Sequence, residues 1–341
     1  MSLHEFIKAM PKVELHVHLQ GATQPETWLE LSQRNNVPLP AKTIEEMRDW
    51  FVFTDFAHFI QIYMKVSATV RSADDIEFMA REFLRGQAAQ NIQYTEITYT
   101  PHIHYTLAGI EGKDQLEALL RAREWAKKTH DVDCGYILDI SRNVTAEEGL
   151  WTADLAISGM NRGVVALGLG GPEVGHPPEK HAISFQKAHA AGLTVILHAG
   201  ETEGPASIWG AIEQGTARIG HGVRAIEDAK LMAHLRETQI PLEVSPTSNI
   251  CLGVFPSMKE HPLPRLIAEG LYVTLNSDDP PMFNTTLTNE FITAADVFGM
   301  DADTLIQLTY NAIRVSRLPN AEKAALEAKF KHEIELLKAT S

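Results

Sequence analysis

The sequence predicts an α/β chain folded as a (β/α)₈ TIM barrel, a single domain over residues 1–341 with extra helices inserted after strand 1 as a lid. Three observations carry that expectation. Eight short apolar, β-branched runs recur along the chain, bounded by turn-forming or polar residues. Segments with helical spacing separate most of them. From the fifth run onward the starts fall at 194, 217, 241 and 272, about one βα unit apart.

The first run is Lys12–Leu19, whose apolar continuity suits a parallel strand covered on both faces. The second, Ile92–Thr100, starts 80 residues later, which leaves room for several helices and places a lid insertion at about 26–90. Within it, Trp50–Val66 is aromatic-rich and reads as helical from about Asp55. In a barrel such an insertion lies over the active-site mouth. Helical spacing over Leu116–Thr129 leads to the third run, Asp133–Ile140, and the fourth follows at Val164–Gly171. A helix over Ala182–Ala191 precedes Thr194–Gly200, and another over Ala225–Thr238 separates Ala217–Gly222 from Pro241–Thr247. Tyr272–Asp279 completes the set. An open doubly wound sheet is the alternative, but it rarely needs eight parallel strands, and no G-x-G-x-x-G follows the first run.

Thirty Lys and Arg face 44 Asp and Glu, a net charge of −14 that argues against nucleic acid as a partner. The longest near-apolar run, Gly163–Gly171, is too short for a bilayer. The first twenty residues contain Glu5, Lys8, Lys12 and Glu14 and no apolar stretch of signal-peptide type. Cys134 and Cys251 read as reduced thiols. These features lead us to expect a soluble cytoplasmic protein, monomer or homodimer, with a small molecule rather than nucleic acid or membrane as its partner.

His16 and His18 stand two apart on the first strand, so both imidazoles face one side, at the end where barrel active sites form. His198 ends the fifth run, His221 the sixth, and Asp278 with Asp279 the eighth. Singly, each has a structural reading: a strand-end His bonds backbone, and a strand-end Asp caps a helix. Together, four strands offering ligand-type residues at the same end specify a metal site. Imidazoles and carboxylates suit one Zn²⁺ at about 2.0–2.2 Å, though iron or manganese accept the same donors. Zinc lowers the pKa of its water to about 7, making hydroxide available at neutral pH. Glu201, three residues after His198, is placed to shuttle a proton. His102-Ile103-His104 repeats the spacing but follows Pro101, and is expected in a loop as pocket lining or plain surface.

Val13 to Leu19, His198-Ala199-Gly200-Glu201, Gly220-His221-Gly222, Ser245-Pro246-Thr247-Ser248-Asn249 and Ser277-Asp278-Asp279-Pro280 together resemble the adenosine deaminase family, in order over about residues 8 to 330. The resemblance implies a mononuclear zinc hydrolase that deaminates 6-aminopurines. By position, His16, His18, His198 and Asp278 would bind zinc. Glu201 would protonate the purine at N1, His221 would orient the attacking hydroxide and help deprotonate it, and Asp279 would contact N7. The backbone N–H of Gly171 would donate to N3. Phe56, Phe59 and Ile60 match the lid over the substrate.

Three departures stand out. The family reads Asp or Glu after His-x-His-Leu, where this chain has Gln20; in the nucleoside enzymes that acid accepts a hydrogen bond from the ribose 5′-hydroxyl. A neutral amide relaxes that demand. Gly168 occupies the position of a family Asp on the fourth strand. Arg142, after the third strand, is a candidate for a substrate carboxylate or phosphate, with a helix-end ion pair as the plainer reading. The expected reaction is adenosine or deoxyadenosine to inosine or deoxyinosine plus ammonia, with a 5′-modified or N6-substituted adenosine such as aminodeoxyfutalosine as the alternative. Free adenine fits less well without the Glu. A binuclear hydrolase lacks its bridging lysine in Val164–Gly171, and a non-catalytic barrel would not keep every catalytic position filled.

Overall fold

All eight runs form strands in the computed structural model, which describes residues 1–339. They are β1 (Lys12–His18), β2 (Ile92–Tyr99), β3 (Asp133–Ser141), β4 (Val164–Gly170), β5 (Thr194–Ala199), β6 (Ile219–His221), β7 (Leu242–Val244) and β8 (Val273–Leu275). They pair in parallel, in chain order. The ring is drawn together by a bridge between Val17 and Asp278, where His18 N–H donates to the Asp278 carbonyl at 2.9 Å.

The last three strands are shorter than their apolar runs because the polar residues at the run ends leave the ladder early. Asn276 shows how: its Oδ1 accepts from the N–H groups of Leu15 at 2.9 Å and His16 at 3.1 Å, taking the place of a β8 carbonyl. The chain beyond is then free to turn Ser277–Asp279 toward the barrel axis.

The β1–β2 connection contains four helices, Pro25–Arg34, Ile44–Trp50, Phe56–Ser67 and Ala73–Ala89. The last packs against helix Gly112–His130 in the outer ring, so it is an ordinary barrel helix, and the expected insertion to residue 90 is too long. Helix Phe56–Ser67 starts where the sequence indicated, with Asp55 accepting from His58 N–H at 2.8 Å. Phe59 on this helix stacks on Phe283, from the segment after β8, with ring centres 5.5 Å apart.

Two local expectations change. His102 and His104 lie not in a loop but in helix Pro101–Ala108, which Pro101 opens because its fixed φ suits a first turn. The helix expected over Ala225–Thr238 splits into a 3₁₀ turn, Val223–Glu227, and helix Ala229–Thr238, because Asp228 caps the second piece through Lys230 and Leu231 N–H. Among the described residues no helix is long and apolar enough to cross a membrane. Cys134 is buried, Cys251 is exposed, and neither is in a disulfide.

Candidate active site

The C-terminal ends of β1, β5, β6 and β8 bring His16, His18, His198, His221 and Asp278 together at one end of the barrel axis, as the spacing implied. Three of the four imidazoles, those of His16, His198 and His221, are aimed by a bond on the far side. His16 Nδ1 meets Glu243 Oε2 of β7 at 2.9 Å, and His198 Nδ1 donates to the Leu169 carbonyl at 2.9 Å. That leaves the Nε2 lone pairs of both rings facing inward. His16 Nε2 is buried with no hydrogen-bond partner.

His18 Nε2 lies 3.0 Å from His198 Nε2 and 3.3 Å from Asp278 Oδ1, which is 3.5 Å from His16 Nε2. Imidazole nitrogens and a carboxylate oxygen packed this closely, with His16 Nε2 buried and unpartnered, are costly without a shared cation. Their separations match the edges of a coordination shell with bonds of about 2.0–2.2 Å. His16, His18, His198 and Asp278 could hold a single metal ion, with His221 and Glu201 close enough to parts of that set to flank it.

Small residues make this convergence possible. A Cβ on Gly220 would sit 2.8 Å from His16 Cε1, so the Gly-His-Gly motif leaves space for the ring. A Cβ on Gly21 would overlap the Asp279 carboxyl. His221 and Asp278 adopt φ of 64° and 66°, left-handed conformations that cost roughly 1–3 kcal/mol each and cluster at functional sites.

The electrostatics separate the acids. Burial opposes charge on His16, yet hydrogen bonds and charge from Asp278 and Glu243 push its imidazole up to about 10. Burial pushes His18 and His221 down to about 4. Asp278 is buried too, but His16 and its other imidazole neighbours hold its carboxyl well below the usual range. Burial, reinforced by the Asp278 charge, pushes Glu201 and Asp279 well above it. The surroundings thus bias Asp278 toward the charged form and Glu201 and Asp279 toward the protonated one, pushing neighbouring carboxyls apart in the way acid–base sites do. Glu201 Oε1 lies 3.6 Å from His221 Nε2, and Asn249 Nδ2 donates to His221 Nδ1 at 3.2 Å.

A cavity of about 370 Å³ opens from this floor. His18, His198, His221, Glu201, Asp278, Asp279 and Gly171 line its base, and Phe56, Phe59 and Ile60 line its outer part, all from the expected set. Two expected substrate contacts do not line it. Arg142 is buried, its Nη1 donating to the His176 carbonyl at 2.6 Å and its Nη2 to the His198 carbonyl at 2.5 Å, and it does not reach the cavity lining. Gln20 is fully buried, its amide turned to the Thr100 carbonyl at 3.4 Å and to His104 at 3.3 Å.

Residues that the sequence did not single out for a role complete the site. Glu243 aims His16, Ser248 donates to Asp278 Oδ2 at 2.6 Å, and Asn249 aims His221. Ser248 and Asn249 lay within a quoted motif, but no local spacing pointed to Glu243. Asp139 on β3 lines the cavity and accepts from Thr100 Oγ1 at 2.5 Å. A Cβ at Gly168 would lie 2.8 Å from Asp139 Cβ, so this acid fills from β3 the space where the family Asp is expected on β4.

The adenosine deaminase family model matches residues 11–333. The chain is 40% identical over 333 residues to the aminodeoxyfutalosine deaminase of Streptomyces avermitilis, covering 96% of this chain and 92% of that one. The crystal structure of an adenine deaminase from Arthrobacter aurescens superposes with a TM-score of 0.91 at 32% identity, over 96% of this chain and 100% of that chain. An amidohydrolase from Burkholderia ambifaria with bound Zn matches at a TM-score of 0.92 and 25% identity, over 100% of this chain and 95% of that chain. The chain belongs to the adenosine deaminase family, and is a hydrolase acting on the C–N bond of a cyclic amidine.

Proposed function

We propose that this enzyme deaminates a 6-aminopurine nucleoside with a bulky 5′ substituent, of the aminodeoxyfutalosine type, to the 6-oxopurine and ammonia. The orientation of Gln20 carries the reading. It stands where the family's nucleoside enzymes present an acid to the 5′-hydroxyl, and its amide is turned away from the cavity. Nothing there demands a free hydroxyl. The Streptomyces avermitilis relative supports the same substrate. A cavity of about 370 Å³ falls in the range of sites for ligands larger than a bare base. Its outer lining includes Phe56, Ile60, Ile103, Val144 and Leu252, and no Lys or Arg among the described residues, so a 5′-phosphate would find no counter-charge. Adenosine is the second reading, favoured by Asp139, which can accept from a sugar hydroxyl.

A divalent metal, which we take to be zinc, supplies a Lewis acid that makes water nucleophilic at neutral pH. Glu201 holds a proton at the purine N1, which makes C6 electrophilic. With Nδ1 filled by Asn249, His221 keeps its ring proton on Nε2 and orients the attacking oxygen by donating to it. Asp279, kept protonated, donates to N7, and the Gly171 N–H donates to N3. The water oxygen bonds to C6 and gives up both protons, one to N6 and one that restores Glu201; the C6–N6 bond breaks, N6 leaves as ammonia, and the proton from Glu201 stays on N1 of the 6-oxopurine. Helix Phe56–Ser67 closes over the base as a lid.

The test is a panel of aminodeoxyfutalosine, adenosine, deoxyadenosine, adenine and AMP, read by ammonia release and the 6-amino to 6-oxo spectral change. The 5′-extended nucleoside is expected to lead in kcat/KM by at least roughly tenfold, about 1.4 kcal/mol of barrier. Adenine or AMP in first place would overturn the reading.

A further inference from the structure

The turn after β5 is built around one buried carboxylate. Glu173, just beyond β4, accepts from four consecutive backbone N–H groups: Gly200 at 2.7 Å, Glu201 at 2.9 Å, Thr202 at 2.7 Å and Glu203 at 3.0 Å. Ser207 Oγ donates to the same carboxylate at 2.6 Å. These amides have left the strand and find no ladder partner, so Glu173 satisfies donors that burial would otherwise leave costly. On the strand side, Arg142 Nη2 donates to the His198 carbonyl at 2.5 Å. The segment from His198 to Glu203 is therefore clamped at its carbonyl by a cation and at its amides by an anion.

Glu201 depends on that clamp. Its Oε1 is buried without a hydrogen-bond partner, so no bond at that oxygen fixes where the carboxyl points. Its aim comes from the backbone. Neither Glu173 nor Ser207 lines the cavity, so neither touches substrate; Glu173 reaches Glu201 through the turn and by its charge, which adds to burial and the Asp278 charge in raising the Glu201 carboxyl, whereas Ser207 carries no charge and acts through the clamp alone.

We propose that Glu173 is a positioning residue for the deamination, setting the placement of the Glu201 carboxyl through the amides of the 200–203 turn. The inference rests on the reading of Glu201 as the group that holds the proton at N1. In Glu173→Gln the side chain keeps its size, but an NH₂ replaces one oxygen and faces backbone N–H groups that also donate. The turn must shift, and a misplacement of about 1 Å costs on the order of 100-fold in rate.

The test is a double-mutant cycle of Glu173→Gln and Glu201→Gln, with kcat, KM, metal content and melting temperature measured for each protein. We expect Glu173→Gln to lose about 10- to 100-fold in kcat, with KM within about threefold and metal content unchanged. In the Glu201→Gln background the same change should cost less than about threefold, because residues acting as a unit are not additive. Ser207→Ala, which removes one donor and leaves the turn amides, should lose a few-fold in kcat and show the same non-additivity. It carries the cycle if Glu173→Gln does not fold. Wild-type turnover in Glu201→Gln would overturn the role of Glu201 itself. A slow Glu201→Gln that the second change slows again by its full factor would overturn the positioning role alone, as would a folded, metal-loaded Glu173→Gln with wild-type kcat.

Discussion

The floor of the cavity and its rim are built on different principles. On the floor, functional side chains are held by partners from elsewhere in the barrel: His16 by Glu243, His198 by the Leu169 carbonyl, His221 by Asn249 and Asp278 by Ser248. Two of these residues sit in left-handed backbone conformations that only a well-determined surrounding can maintain. At the rim, Phe56, Ile60, Ile103, Val144 and Leu252 contribute apolar surface. Apolar pockets tolerate changes of shape, and one methylene contributes only about 1–3 kcal/mol of discrimination. The floor thus fixes the reaction, and the rim leaves the substrate open to change.

If that contrast holds, damage to the floor should abolish chemistry outright. Chelating the metal is expected to have the largest effect: turnover falls to background and returns on adding zinc. The melting temperature should also drop, since a ligand at 1,000 times its Kd stabilises by about 4 kcal/mol. An apo-enzyme with full activity would remove the basis for the contrast. Glu201→Gln comes next, with kcat lower by about 10²- to 10⁴-fold, the usual contribution of a positioned proton donor. Metal content is expected to match that of the wild type, because the proposed role of Glu201 is proton transfer and not metal ligation. Comparable turnover in the metal-loaded variant would refute its role.

A smaller effect is expected one step back from the floor. Glu243→Gln should weaken metal binding by about 10- to 100-fold, as seen when the partner of a ligating imidazole is removed. Glu243 also accepts from the buried Arg218, which pairs with Glu96 as well, so the variant leaves a cation short of one partner. Competitive metal titration measures the affinity, and a melting curve separates that loss from a general destabilisation. Unchanged affinity would mean that His16 is aimed by packing alone.

The same division governs how much could be read before the structure was known. Strands, their order and the ligand cluster were legible because each run is a continuous apolar stretch ending in a chemically distinctive residue. The supports were not, since Glu243 lies mid-strand with no pattern around it, and its role exists only because closure of the ring brings β7 within two strands of β1, which carries His16. Arg142 admitted two readings in sequence, a substrate anion or a helix-end ion pair, because spacing cannot show that backbone carbonyls are within reach of its Nη groups. Helix Ala73–Ala89 looked like part of an insertion, because a long gap between strands does not say which of its helices joins the ring.

The smallest expected effect tests the rim side of the comparison, at Gln20. Its Nε2 bonds at 3.4 Å to Thr100 and 3.3 Å to His104 are long, and its Oε1 is buried without a partner, so the amide is only loosely specified. Gln20→Asp shortens the side chain by one carbon, gives up both contacts and frees an acceptor-only group behind Thr100, which lines the cavity, to turn toward the sugar end. A net hydrogen bond to a 5′-hydroxyl contributes about 0.5–1.5 kcal/mol, so the ratio of kcat/KM for adenosine over a 5′-extended nucleoside should rise by roughly two- to tenfold. The value of kcat for the better substrate should move little, because no floor residue is touched. A large fall in kcat with no change in the ratio would show that position 20 supports the floor instead, and the boundary between the two regions would then have to be drawn farther out, at Asp139 and Thr100.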